Sequence, residues 1–140
     1  MWGLTSNNPV QTILLVDDDP IVHWVLQQYL GKAGYEISTA NSGRVALEMV
    51  RDKRPDLIIL DVRMSEIDGL DTLKALKKEE ATKSIPVMMM TVSADEFTKM
   101  ESEMYGAAVF MTKPFSPALL LSEVRRLLPT VGEERGSVGA

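Results

Sequence analysis

Apolar residues along this chain gather into five short runs, and the stretches between them carry apolar positions at helical spacing. Ile13 to Val16 form the first run, followed by "YEIST" (35 to 39), "LIIL" (57 to 60), "PVMMMT" (86 to 91) and "AVFM" (108 to 111). Short, nearly continuous apolar runs of this kind predict buried strands. In the first intervening stretch Val22, Val25, Leu26, Tyr29 and Leu30 recur at helical spacing. Asp19 is placed to cap that helix, Pro20 suits its first position and Gly34 can stop it. Further helical patterns run from about Gly43 to Arg51, from Asp68 through Leu70, Leu73 and Leu76 to about Lys78, and from about Asp95 to Tyr105 before Gly106. The last one lies in "FSPALLLSEVRRLLP", with Ser116 as cap, Pro117 in the first turn and Pro129 as the stop.

Strict alternation of apolar strands and crossover helices predicts a parallel sheet covered on both faces. Sheets of this kind bind ligands at the carboxyl ends of their strands, beside the point where strand order reverses. The polar outliers obey that rule. The first strand ends at Asp17 and Asp18, the third at Asp61 and the fourth at Thr91, and the fifth runs into Lys113.

The run "LLVDDDP" (14 to 20) poses a physical problem, because three adjacent carboxylates repel unless protons, a basic residue or a cation neutralise them. A hard cation held by carboxylate oxygens is one way to neutralise them. Aspartate runs also serve as helix caps and solvated turns, and a lysine before a proline can be an ordinary surface residue.

Composition narrows the partners. With 140 residues, 45% hydrophobic and 25% charged, the chain fits one globular domain. A formal net charge of -5, without a basic patch interleaved with aromatics, argues against direct nucleic-acid binding. No apolar run reaches the roughly 18 residues of a membrane span, and "MWGLTSNNPVQ" lacks the regions of a signal peptide, so a cytoplasmic location is expected. The absence of cysteine excludes disulfides, thiolate zinc sites and a cysteine nucleophile, and the single His23 excludes a multi-histidine metal site.

In order and spacing, "ILLVDDDP", "PDLIILDVRMSEIDGL", "IPVMMMTVSAD" and "VFMTKPF" resemble the receiver domain of two-component response regulators. The resemblance spans residues 11 to 129, leaving 1 to 10 as an N-terminal extension and the Gly-rich 130 to 140 as a flexible tail or linker stub. It implies a flavodoxin-like (βα)5 three-layer fold with strand order 2-1-3-4-5. It further implies that a histidine kinase or histidine phosphotransfer protein phosphorylates Asp61, with Mg2+ (or Mn2+) bound. Asp18 and Asp61 would bind the metal directly, Asp17 largely through water, and the backbone carbonyl of Arg63 would add a ligand. Lys113 would pair with the phosphoryl oxygens, its peptide bond to Pro114 being cis. Thr91 would donate its hydroxyl to the phosphoryl group, and the position of the switch aromatic falls on Phe110, which can equally be plain core. The face made by the fourth helix, fifth strand and fifth helix would engage a downstream target, and phosphorylation could drive dimerisation.

The chain departs from the family pattern in places. Ser65 stands where proline is usual, and Val92 stands where alanine or glycine is usual, so a β-branched side chain could crowd an incoming donor. Arg63 and Ser93 lie where the family tunes access of hydrolytic water, and a bulky Arg63 is expected to slow loss of the phosphoryl group. His23 does not match a phospho-histidine motif. The nine methionines are expected to be adaptable core filler, with Met100 and Met104 also candidates for a partner surface. "LKKEEATK" is expected to be a solvated helix end and loop.

Two alternatives belong to other classes. One is a pseudo-receiver that acts only as an interaction module. The other is a haloacid dehalogenase-like phosphatase with Asp17 as nucleophile and Asp19 as general acid, a reading that leaves Asp61 without a role.

Overall fold

In the computed structural model, residues 9–64, 68–92 and 95–129 are described. Ser65, Ser93, most of the expected N-terminal extension and the expected tail lie outside them. The elements run β1 (Thr12–Val16), α1 (Pro20–Lys32), β2 (Glu36–Ala40), α2 (Gly43–Asp52), β3 (Leu57–Asp61), α3 (Gly69–Lys78), β4 (Val87–Thr91), α4 (Glu96–Met104), β5 (Val109–Thr112) and α5 (Pro117–Leu127). They form the expected alternation, with strand bounds shifted by one residue at several ends.

The sheet is parallel, in the order β2-β1-β3-β4-β5. The order in which strands are added reverses between β1 and β3. Right-handed crossovers then dictate which face each helix covers, because the single step toward β2 and the later steps toward β5 run in opposite directions. The two cores follow that division. On one face Leu14, Val16, Ile58, Leu60, Val87 and Met89 pack against Ala46 and Val50 of α2 and Leu73 and Leu76 of α3. On the other Ile13, Leu15, Leu57, Ile59, Met88 and Met90 pack against Leu26 and Leu30 of α1 and Leu120 and Val124 of α5. Successive strand residues therefore serve opposite cores, which explains why β3 and β4 are apolar at nearly every position. At roughly 1.5–3 kcal/mol for each large side chain fully buried, these strands fix the register with little help from their loops.

Each helix starts on a side-chain cap. Asp19, Ser42, Asp68, Asp95 and Ser116 accept hydrogen bonds from the backbone N–H groups of Ile21, Val45, Asp71, Thr98 and Leu119. A cap of this kind contributes about 1 kcal/mol. Three of these helices, α1, α3 and α4, begin just beyond Asp17, Asp61 and Thr91, so the caps also aim the start of each helix at one edge of the sheet.

Two expectations need correction. Met88, Met89, Met90 and Met111 are core, but Met100 and Met104 are 56% and 76% exposed, because α4 buries only the narrow strip marked by Thr98 and Ser102. "LKKEEATK" is not wholly solvated. Lys77 Nζ donates to the carbonyls of Lys83 and Ile85 at 3.0 and 2.9 Å, and buried Thr82 donates its hydroxyl to Leu76 O. Burial pushes the Lys77 ammonium below its ordinary pKa.

Candidate functional site

The strand-order reversal brings the ends of β1 and β3 side by side, and with them Asp17 and Asp61. Neither aspartate is open to solvent, at 2% and 6% exposure. Asp17 is held through its backbone, whose N–H donates to Ala40 O at 3.1 Å. Its Oδ1 accepts the Asp19 N–H at 2.9 Å, and its Oδ2 accepts Lys113 Nζ at 2.7 Å. Asp61 Oδ1 accepts the Arg63 N–H at 3.3 Å, and its Oδ2 lies 3.5 Å from Lys113 Nζ. Asp18 is exposed at the rim.

Carboxylate oxygens of Asp17, Asp18 and Asp61 lie within 4.8 Å of one another, a spacing that could hold a cation. The donor set is all oxygen, which suits a hard divalent ion and excludes a soft one. One ammonium cannot neutralise three carboxylates at this distance. The imbalance shows in Asp61, whose pKa is raised to about 6, first by burial and second by the charge of Asp17, with Lys113 opposing both. Burial by itself would lower the pKa of Lys113, but its hydrogen bond to Asp17 and the charges of Asp17 and Asp61 raise it instead.

Lys113 reaches this position from the far side of the sheet. Its N–H donates to Thr91 O at 2.8 Å, extending the β4–β5 pairing by one residue, and its bond to Pro114 is cis, as the resemblance implies. Thr91 is fully buried at the end of β4. Phe110 pairs with Met89 in the β4–β5 register and is half-buried against the α2–α3 core. It also lines a groove of about 290 Å³ with Phe115 and Leu119. Val92 is 70% exposed beside Thr91.

Asp19 caps α1, accepting the Ile21 N–H at 2.9 Å, so it is engaged away from a general-acid role. His23 is half-buried on α1 and, among the described residues, belongs to no group of side chains spaced to hold a metal. Arg63 is exposed on the β3–α3 connection. Asp95 is held below the usual carboxylate range by bonds from the Thr98 N–H and hydroxyl, and the charge of Arg63 adds to this.

A family description, "Response regulator receiver domain", matches residues 13–125. This chain belongs to the receiver domain family. Receiver domains are signalling modules of response regulators, so the enzyme alternative has no support. Among curated relatives, the chain is 37% identical over 116 residues to the alkaline phosphatase synthesis transcriptional regulatory protein PhoP of Bacillus subtilis, covering 83% of this chain and 48% of that one. It is 44% identical over 102 residues to the transcriptional regulatory protein ZraR of Escherichia coli K12, covering 73% and 23%. The receiver chain thus spans about half the length of the first relative and less of the second. Among solved structures, chemotaxis protein CheY4 of Vibrio cholerae matches with a TM-score of 0.81 and 34% identity, covering 86% of this chain and 100% of that one. The BeF3-activated receiver domain of Klebsiella pneumoniae RstA matches with a TM-score of 0.79 and 28% identity, covering 85% and 99%.

One residue that shapes this receiver site was not singled out from the sequence. Gly69, the first residue of α3, packs against the backbone of Asp61, and its N–H donates to Val62 O at 2.7 Å. Within the sequence it was only a letter in "SEIDGL", since a through-space contact leaves no periodic signal.

Proposed function

We propose that this receiver works as a phosphorylation switch in which Asp61 accepts a phosphoryl group from a histidine kinase or histidine phosphotransfer protein. The observation that carries the reading is the buried Asp61 carboxylate, fixed at the end of β3 between Asp17 and the Lys113 ammonium. Asp17, Asp18, Asp61 and the backbone carbonyl of Arg63 are the groups that would hold Mg2+ (or Mn2+). When bound, the ion neutralises charge on the carboxylates and the transferring phosphoryl group.

The chain's own residues account for the rest. Asp61 Oδ attacks phosphorus, the donor's P–N bond breaks, and the donor imidazole keeps the electron pair. An acyl phosphate results. Lys113, already within 3.5 Å of Asp61 Oδ2, meets the new phosphoryl oxygens after a small movement. Phosphorylation adds about two negative charges and three acceptors. Thr91 donates its hydroxyl to one of them, and Phe110 turns toward the space Thr91 vacates, biasing an equilibrium between two receiver states. Hydrolysis resets the switch when water attacks phosphorus, the acyl O–P bond breaks, and the Asp61 carboxylate leaves with inorganic phosphate released. The receiver thus assists both steps without being a turnover enzyme.

The phosphorylated form engages its downstream target, or a second copy, through the α4–β5–α5 face, where Phe97, Met100, Met104 and Leu119 are exposed. Residues 11–129 form the receiver, with 1–10 and 130–140 as flanking segments. Among the described residues no helix is long and apolar enough to cross a membrane, which accords with a cytoplasmic place for the switch.

The test is intact mass after incubation with acetyl phosphate or phosphoramidate and magnesium, with Asp61→Ala as control. A gain of one phosphoryl mass that needs the metal and is absent from Asp61→Ala is expected. No gain together with no metal binding would leave the pseudo-receiver as the better account.

A further inference from the structure

We infer that Gly69 is a positioning residue for the phosphoacceptor, and that α3 acts as a backstop setting where Asp61 and the Arg63 carbonyl stand. This rests on Asp61 being the phosphoacceptor.

Two observations meet at Gly69. A Cβ placed there would lie 2.7 Å from Val62 Cα and 2.8 Å from the carbonyl carbon of Asp61, and nearer still to the Asp61 carbonyl oxygen. These neighbours are backbone, so no side-chain rotation can make room. The Gly69 N–H also donates to Val62 O at 2.7 Å, closing the neck of the connection that runs from 62 to 69. The first residue of α3 therefore touches the chain at the point where β3 ends. Val62 N–H donates to Met90 O at 3.2 Å on the opposite side, so this backbone is held between β4 and α3. Asp61 Oδ1 bonds the Arg63 N–H, and the Arg63 carbonyl follows on the same short piece of chain.

Gly69 has no left-handed φ, so its identity is explained by space rather than by dihedral freedom. A single added methyl must push α3 away or displace Asp61 and Val62. The first movement opens the neck and removes the backstop behind Asp61; the second shifts an acceptor whose chemistry depends on in-line placement to within a fraction of an ångström.

The test compares Gly69→Ala with Asp68→Ala in the full chain. Asp68→Ala removes the α3 cap, and so weakens the same helix, without intruding on Asp61. Magnesium affinity by calorimetry, rate of mass gain from acetyl phosphate, and thermal unfolding are measured on both and on the parent. Gly69→Ala is expected to lose at least tenfold in phosphorylation rate and severalfold in magnesium affinity while still melting cooperatively. Asp68→Ala is expected to melt lower with both functions nearly intact. Parent-like function in folded Gly69→Ala overturns the inference, and so does parallel loss in the two variants. If Gly69→Ala does not fold, amide hydrogen exchange of the unaltered protein decides: a protected Gly69 N–H supports the closed neck, and a freely exchanging one removes it. Failure of the parent itself to gain mass would count against Asp61 as phosphoacceptor, and the exchange measurement would still report on the neck.

Discussion

Lys113 Nζ stands 2.7 Å from Asp17 Oδ2 and 3.5 Å from Asp61 Oδ2, joining the ends of β1, β3 and β5 through one ammonium. The lysine side chain is 14% exposed and the Asp17 side chain 3%, so solvent screens this pair weakly. Lys113→Met would leave buried carboxylates without their counter-charge. The metal-free variant is expected to lose about 3 kcal/mol, the usual cost of removing one partner of a buried pair. Magnesium should bind it more tightly than the parent, because the competing cation is gone. Urea unfolding with and without magnesium checks both points. A variant that is neither less stable without metal nor more strongly stabilised by it would show that the pair carries no such role.

Asp61 offers the sharpest pH dependence. Its pKa is about 6 in the folded protein against an ordinary 3.8, with burial the main cause and Asp17 next. Between those values the folded chain keeps a proton that the unfolded chain has released. The stability this group contributes is complete below 3.8 and is lost as pH rises through 6. Asp61→Asn removes the penalty of ionisation, so the metal-free variant should exceed the parent by about 3 kcal/mol at pH 8 and match it near pH 4. Chemical unfolding in a chelator across that range is the measurement. A constant difference at every pH would assign the gain to something other than ionisation.

The sequence exposes the sheet far better than its surroundings. A strand covered on both faces must be apolar at nearly every position, so β1, β3 and β4 are visible as runs. Their carboxyl ends then locate Asp17, Asp61 and Thr91 before any coordinates, and the weaker run of β5 leads into Lys113. Strand order came from the resemblance, since alternation alone allows other windings. The apolar stripe of α4 was less legible because spacing gives a stripe its width but does not say whether a neighbour covers it. Lys77 and Gly69 were hidden for a related reason. Their contacts reach Ile85 and Asp61 through folded turns, and nothing in the local pattern of a lysine or glycine encodes that.

In the proposed switch, Thr91 links chemistry to conformation. It is fully buried, and its carbonyl accepts the Lys113 N–H, so the backbone of β4 is tied to β5 whether or not the hydroxyl moves. Thr91→Val keeps the shape and removes the hydroxyl donor. The variant should still gain phosphoryl mass, because Asp61, Asp17 and Lys113 are untouched. The ring resonances of Phe110 should then fail to shift on addition of beryllofluoride and magnesium, whereas they shift in the parent. Equal shifts in both proteins would separate Phe110 from any Thr91-dependent switch.

The α4 face carries apolar side chains open to solvent. Phe97, Met100 and Met104 are 69%, 56% and 76% exposed and recur at i, i+3 and i+7, so they share one side of the helix. Being exposed, they add little to the fold, and exposed substitutions away from special features usually change stability by less than about 0.5 kcal/mol. A triple variant carrying Phe97→Ser, Met100→Ser and Met104→Ser should therefore melt like the parent and gain phosphoryl mass at the parent rate. What it should lose is association. If the phosphorylated receiver pairs with a second copy through this face, sedimentation in beryllofluoride and magnesium will show a dimer for the parent and a monomer for the variant. A dimer in both would move the interface elsewhere. A monomer in both would leave a separate target protein as the occupant, because three large apolar side chains held in solvent on one helix otherwise bring no stability.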